Sequence, residues 1–185
     1  MKKLCMFLAA LVIFGVAFAA AQPVAGKKFE FSTAVSFMSF KLDEDEDTFS
    51  YMNIPVRLGW FIWKGLEVKP ELQLFIPMGD YEGDTTYFLS GRLLYNFKTA
   101  GKLVPFIAGG GGYGNGFPIF GILQGDKDTR VTAYGGGAGV RYLIGNIAAV
   151  RAEYNFVRFR MEDTVWDYVE KGNAHRFFVG LSIFF

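Results

Sequence analysis

Three features of the sequence predict an all-β fold: an eight-stranded antiparallel up-and-down barrel. Apolar and mixed rows alternate with a period of two through most of the chain, as strands do when one face meets an apolar medium. Phe, Trp and Tyr make up 18% of the 185 residues and Gly supplies 23 of them, a composition suited to a curved, closed sheet. The connections between alternating segments are short and long by turns, the rhythm of a barrel whose two ends differ.

The N-terminus stands apart from this pattern. Met1-Lys2-Lys3 is a basic opening, Leu4 to Phe18 is an apolar run, and Ala19-Ala20-Ala21 offers small residues for cleavage before Gln22. Residues 1–21 are therefore expected to be a signal peptide and residues 22–185 the barrel domain, because the run is shorter than the roughly 20 residues a spanning helix needs. The single cysteine, Cys5, lies early in this leader, so the exported chain has no disulfide framework or thiolate metal site. Of 19 Lys+Arg and 18 Asp+Glu, Lys2 and Lys3 leave with the leader, and the resulting net charge of −1 gives no support to nucleic-acid binding.

The strands follow in order. Strand one sets Phe29, Phe31, Val35 and Phe37 against Glu30, Ser32, Ala34 and Ser36. Strand two sets Met52, Ile54, Val56, Leu58, Trp60 and Ile62 against Tyr51, Asn53, Arg57 and Gly59. Strand three opposes Leu66, Val68, Leu72, Leu74 and Ile76 to Glu67, Lys69, Glu71 and Gln73. Strand four opposes Tyr87, Leu89, Leu93, Tyr95 and Phe97 to Ser90, Arg92 and Asn96. Strand five, Leu103 to Gly114, is so rich in glycine that its faces stay unassigned. Strand six places Thr132, Tyr134, Ala138, Val140 and Tyr142 opposite Arg141 and a series of glycines; strand seven places Val150, Ala152, Tyr154 and Phe156 opposite Arg151, Glu153 and Asn155. The closing stretch, HRFFVGLSIFF, is strand eight. Short connections fall near 63–65, 98–102 and 144–146, and long ones at 41–50, 77–85, 115–129 and 158–173.

Alternation alone does not say which face meets water, because a soluble barrel alternates with its apolar face inward. The charges decide it. Arg57, Arg92, Arg141, Arg151 and Arg176 share the mixed face with Glu67, Lys69, Glu71 and Glu153 and with many small residues, whereas a water-facing wall carries long charged side chains at most positions. A lipid-facing Arg near the bilayer midplane costs about 2–4 kcal/mol, so these nine residues are expected to form an enclosed charge network. The barrel is then transmembrane, with short periplasmic turns and longer extracellular loops. Its lumen, at eight strands, is just wide enough to be filled by side chains, so paired charges and no open pore are expected.

A helical reading of 103–123 fails on Pro105, Pro118 and the glycines of this stretch, since an interior Gly costs a helix about 1 kcal/mol and Pro about 3. Glycines let the wall curve and leave gaps that Tyr113 or Tyr134 can cover.

With strands and charges placed, the chain resembles the small outer-membrane β-barrel family that includes OmpA, OmpX and OmpW. The features that carry the likeness are the leader, the eight alternating strands, RAEYNF in strand seven, and a terminal Phe preceded by apolar residues at every second position. The resemblance implies location in the cell outer membrane and a terminal strand read by the barrel-assembly machinery through Phe177, Val179, Leu181, Ile183 and Phe185. It also implies contact with outer-membrane lipids and lipopolysaccharide. No cofactor is implied, and a monomer is expected.

Other candidate sites read as structural. His175, the sole histidine, faces outward near the loop-side rim with no neighbouring serine nucleophile, so catalysis is not expected. Asp43, Asp45 and Asp47 have EF-hand-like spacing, but Thr48 and Ile54 stand where Gly and Glu are needed, which leaves a solvated acidic loop. Gly109, Gly111 and Gly114 match a dinucleotide-binding spacing with no following helix. The loop NGFPIFGIL is apolar enough to contact lipopolysaccharide or a partner, or to admit a small hydrophobic solute. The expected function is a non-enzymatic structural or surface-interaction role, with OmpW-like passage of small hydrophobic or ionic solutes as the alternative.

Overall fold

The structure, a computed structural model, describes residues 26–41, 48–78, 85–115, 129–163 and 168–185. The predicted leader, Asp43, Asp45, Asp47 and the apolar loop from Gly116 to Leu123 lie outside the described residues. Eight strands follow one another: β1 (Phe29–Lys41), β2 (Thr48–Trp63), β3 (Leu66–Met78), β4 (Thr86–Asn96), β5 (Leu103–Gly114), β6 (Thr129–Ile144), β7 (Ala148–Asp163) and β8 (Tyr168–Phe184). Each pairs antiparallel with the next and β8 returns to β1, so the sheet closes in up-and-down order. At the seam the Phe29 and Phe185 N–H groups each donate to the other's carbonyl at 3.0 Å. A closed ring leaves no unpaired strand edge, which is the condition for a sheet to cross lipid.

One rim is built from tight turns. Gly65 (φ 89°) and Gly145 (φ 63°) take left-handed conformations that a side chain resists, and they reverse the chain between β2 and β3 and between β6 and β7. The seam between Phe29 and Phe185 lies at this same rim.

The two rows of each strand meet different surroundings. Val35, Leu58, Trp60, Leu89, Leu93, Val179 and Leu181 are exposed on the outer wall, while Arg57, Glu67, Lys69, Arg141 and Arg151 are almost completely buried inside. The glycine-rich β5 also resolves into faces: Val104 and Phe106 point inward, and Leu103 and Tyr113 outward. Tyr134 sits cross-strand from Gly111, its Cβ 3.3 Å from where a methyl on that glycine would lie.

Outward aromatics form a girdle toward the other rim. Tyr87, Tyr113, Tyr134, Phe156 and Phe177 are all exposed, one on each strand from β4 to β8. Each lies two residues toward the tight turns from its neighbour's cross-strand partner: Tyr134 opposes Gly111, two from Tyr113, and Phe156 opposes His175, two from Phe177. This oblique step is what strand tilt in a barrel requires if the girdle is to stay level.

The strands run further than sequence alternation predicts on one side. The long connection expected over 158–173 is instead mostly ladder, with β7 reaching Asp163, β8 starting at Tyr168, and Arg158 to Asp163 paired with residues Tyr168 to Asn173. Above the girdle the outward row no longer needs to be apolar, so the alternation fades while backbone pairing continues. Likewise β2 begins at Thr48 and β6 at Thr129.

Candidate functional site in the barrel lumen

The lumen is stratified. Nearest the tight turns, Phe61, Val104, Ala149 and Phe184 form an apolar layer with Leu143 packed against it. At the other end Phe75, Phe88, Val131, Ala133, Val157 and Phe159 form a second. The charges lie between these two layers.

In the tier closer to the turns, Lys69 Nζ lies 2.8 Å from Glu30 Oε1 and 2.7 Å from Glu67 Oε1. Arg141 Nη2 bridges the same two carboxylates, at 2.8 Å from Glu30 and 2.9 Å from Glu67. Its Nη1 donates to Asn96 Oδ1, whose amide in turn donates to Glu67 and to the Gly65 carbonyl. Ser182 Oγ donates to Glu30 at 2.7 Å, and Arg151 Nη1 stands 3.7 Å from the same carboxylate.

In the tier above, Arg57 Nε pairs with Glu71, which also accepts from Gln73 and Ser90. Arg92 reaches Glu153 at 2.5 Å and Glu71 at 3.4 Å, and donates to Asn155 at 2.8 Å. Glu153 joins the tiers because it also pairs with Arg151 and lies 3.6 Å from Arg57 Nη1. Arg176 donates to Gln73 Oε1 at 2.7 Å. Side chains from seven strands thus meet in one connected set, which suits a low-dielectric interior where an unpaired charge would be costly.

The structure brings together Arg57, Glu67, Lys69, Glu71, Arg92, Arg141, Arg151, Glu153 and Arg176 in this lumen. Sequence reasoning passed over Glu30, which stands on the mixed row of β1 and receives three cations. It also passed over the neutral linkers Gln73, Asn96 and Asn155, although their parity along β3, β4 and β7 matches the charged residues. Two further partners are aromatic. The Phe106 ring lies 4.9 Å from both the Arg141 and the Arg151 guanidinium, and the Phe178 ring lies 5.3 Å from that of Arg57 and 5.6 Å from that of Arg176.

A small cleft of about 40 Å³ adjoins the upper tier, between Ser90, Arg92, Asn155 and Arg176 and the glycine-rich wall of β5 and β6. His175 lies elsewhere, exposed on the outer wall, where its Nδ1 is 2.6 Å from the Tyr154 hydroxyl and its ring packs edge-on against Phe156.

The outer membrane protein beta-barrel domain family matches residues 6–185. The chain belongs to this family. Among solved structures it is similar to Neisserial surface protein A, with a TM-score of 0.59 and 13% identity over 85% of this chain and 95% of that one. It is also similar to the N-terminal beta-barrel domain of Pseudomonas aeruginosa OprF, with a TM-score of 0.53 and 15% identity over 86% of this chain and 98% of that one. No curated protein matches significantly. As an outer-membrane barrel the chain has hydrocarbon against its exposed apolar rows, and the buried ionic rows form its interior. The terminal row Phe177, Val179, Leu181, Ile183 and Phe185 is exposed on that lipid-facing wall.

Proposed function

We propose that this outer-membrane barrel is a non-enzymatic structural protein that contributes to envelope integrity and surface contacts and conducts no solute. The observation that carries the reading is the lumenal ionic network lying between two apolar layers, a plug of packed side chains that would have to be dismantled to open a path. The placement of His175 supports a non-enzymatic role, since it engages Tyr154 on the outer wall and, among the described residues, no serine–carboxylate pair is bonded to it. The reading includes export through a leader over residues 1–21 and recognition of the terminal row ending at Phe185 by the barrel-assembly machinery. The barrel acts as a monomer among outer-membrane lipids and lipopolysaccharide.

Single-channel recording of the purified protein in planar bilayers tests it. A flat baseline is expected. Reproducible conductance steps would overturn the reading in favour of passage of small hydrophobic or ionic solutes.

A further inference from the structure

We infer that the outer wall of β6, β7 and β8, immediately above the aromatic girdle, binds the phosphate groups of an outer-leaflet glycolipid. The inference rests on the lipid partnership proposed above and names its site; it does not depend on whether the lumen conducts.

The girdle marks where acyl chains give way to headgroups. On β4 and β5 the ladder ends one residue past it, at Thr86 and Gly114, but on β7 and β8 it continues to Asp163 and back to Tyr168. The outward positions of this extension carry Arg130 on β6, Arg158 and Arg160 on β7, and Lys171 on β8, all exposed. Arg158 faces Tyr134 and Asn173 across the strands, Arg160 faces Thr132 and Lys171, and Arg130 faces Glu162.

Same-face positions two apart are separated by about 7 Å and direct cross-strand neighbours by about 5 Å. Arg158, Arg160 and Lys171 therefore fall within the span of one phosphorylated sugar headgroup. Arg160 and Lys171 are like charges placed directly opposite each other, an arrangement that opposes strand pairing. Among the residues whose side chains the structure describes, the carboxylate on this patch is Glu162, 2.6 Å from Arg160, and none of those side chains brings a carboxylate into ion-pair range of Arg130, Arg158 or Lys171. An anion seated between these cations converts the repulsion into attraction.

The chemistry favours phosphate, because a guanidinium offers parallel N–H donors that match its oxygens bidentately. Asn173, exposed beside Arg158, adds a hydrogen-bonding group suited to sugar hydroxyls. An acidic protein could meet the same charges. Their position on the side wall, directly above a lipid-facing girdle, places them against lipid headgroups instead.

Native mass spectrometry of the full barrel in micelles, titrated with bisphosphorylated lipid A and with the same lipid after dephosphorylation, reads the site without any mutation. At least tenfold preference for the phosphorylated lipid is expected, and equal binding would overturn the inference. The triple substitution Arg158→Ser, Arg160→Ser and Lys171→Ser is expected to abolish that preference while the barrel keeps its heat-modifiable migration; a folded triple variant that retains the preference overturns it as well. Displacement by equimolar inorganic phosphate or by heparin would also refute the assignment to a lipid.

Discussion

The Phe178 ring lies 5.3 Å from the Arg57 guanidinium inside the barrel, and Arg176 approaches the same ring at 5.6 Å. Phe106 stands in the same relation to Arg141 and Arg151. The described lumen buries the cations Arg57, Lys69, Arg92, Arg141, Arg151 and Arg176 against the carboxylates Glu30, Glu67, Glu71 and Glu153. Carboxylates are thus outnumbered, and two aromatic faces take up part of the excess through their quadrupoles. A desolvated cation–π contact is worth about 2 kcal/mol.

Phe178→Leu is accordingly expected to destabilise the barrel more than Phe61→Leu in the apolar layer, by about 2 kcal/mol. Urea unfolding of both variants in lipid vesicles measures the difference. Equal losses would mean that the Phe178 ring contributes only apolar burial.

Glu153→Gln removes one carboxylate from a site already rich in cations, and it loosens contacts to Arg57, Arg92 and Arg151 together. A loss of about 3–5 kcal/mol is expected, the range for breaking a buried pair. In Arg92→Gln/Glu153→Gln the loss should fall short of the sum of the single effects, because the second change removes a charge the first left uncompensated. A double-mutant cycle checks this, and strict additivity would argue against a connected network.

Val179→Arg, on the exposed row of β8, should cost about 2–4 kcal/mol in folding into vesicles. The same substitution made in detergent-free water would be harmless on a soluble protein's exterior. A cost near zero would therefore contradict a lipid-facing row.

Phe185→Ala separates assembly from stability. Phe185 stacks on Phe29 at 5.9 Å, but its backbone bonds at the seam survive the substitution. Refolding in vitro is expected to change little, while the amount recovered with outer membranes from cells falls severalfold. Equal loss in both assays would point to a packing role in place of an assembly signal.

Much of this was legible from residue order because a period of two is strict where lipid lies on one side: a one-residue slip would put Arg57 or Arg141 into hydrocarbon. That constraint fixed strand number, facing and the location of the charges. It said little about β5, where glycines carry no side chain to mark a face, and Phe106 became an arginine partner only once pairing with β6 set its direction. Glu30 was missed for a related reason, as a lone acid near a strand end whose partners come from β3, β6 and β7. Above the girdle the constraint lapses, which is why residues 158–173 read as a loop and prove to be mostly paired strand.

Among the described residues the strands reach unequally far past the aromatic girdle. β4 and β5 have 11 and 12 residues, whereas β7 and β8 have 16 and 17, a difference of roughly 16 Å of strand at about 3.3 Å per residue. A neighbour that diffuses toward β7 and β8 meets this extra ladder as a parapet above the lipid-facing wall, so an encounter on that side engages paired backbone as well as the apolar rows.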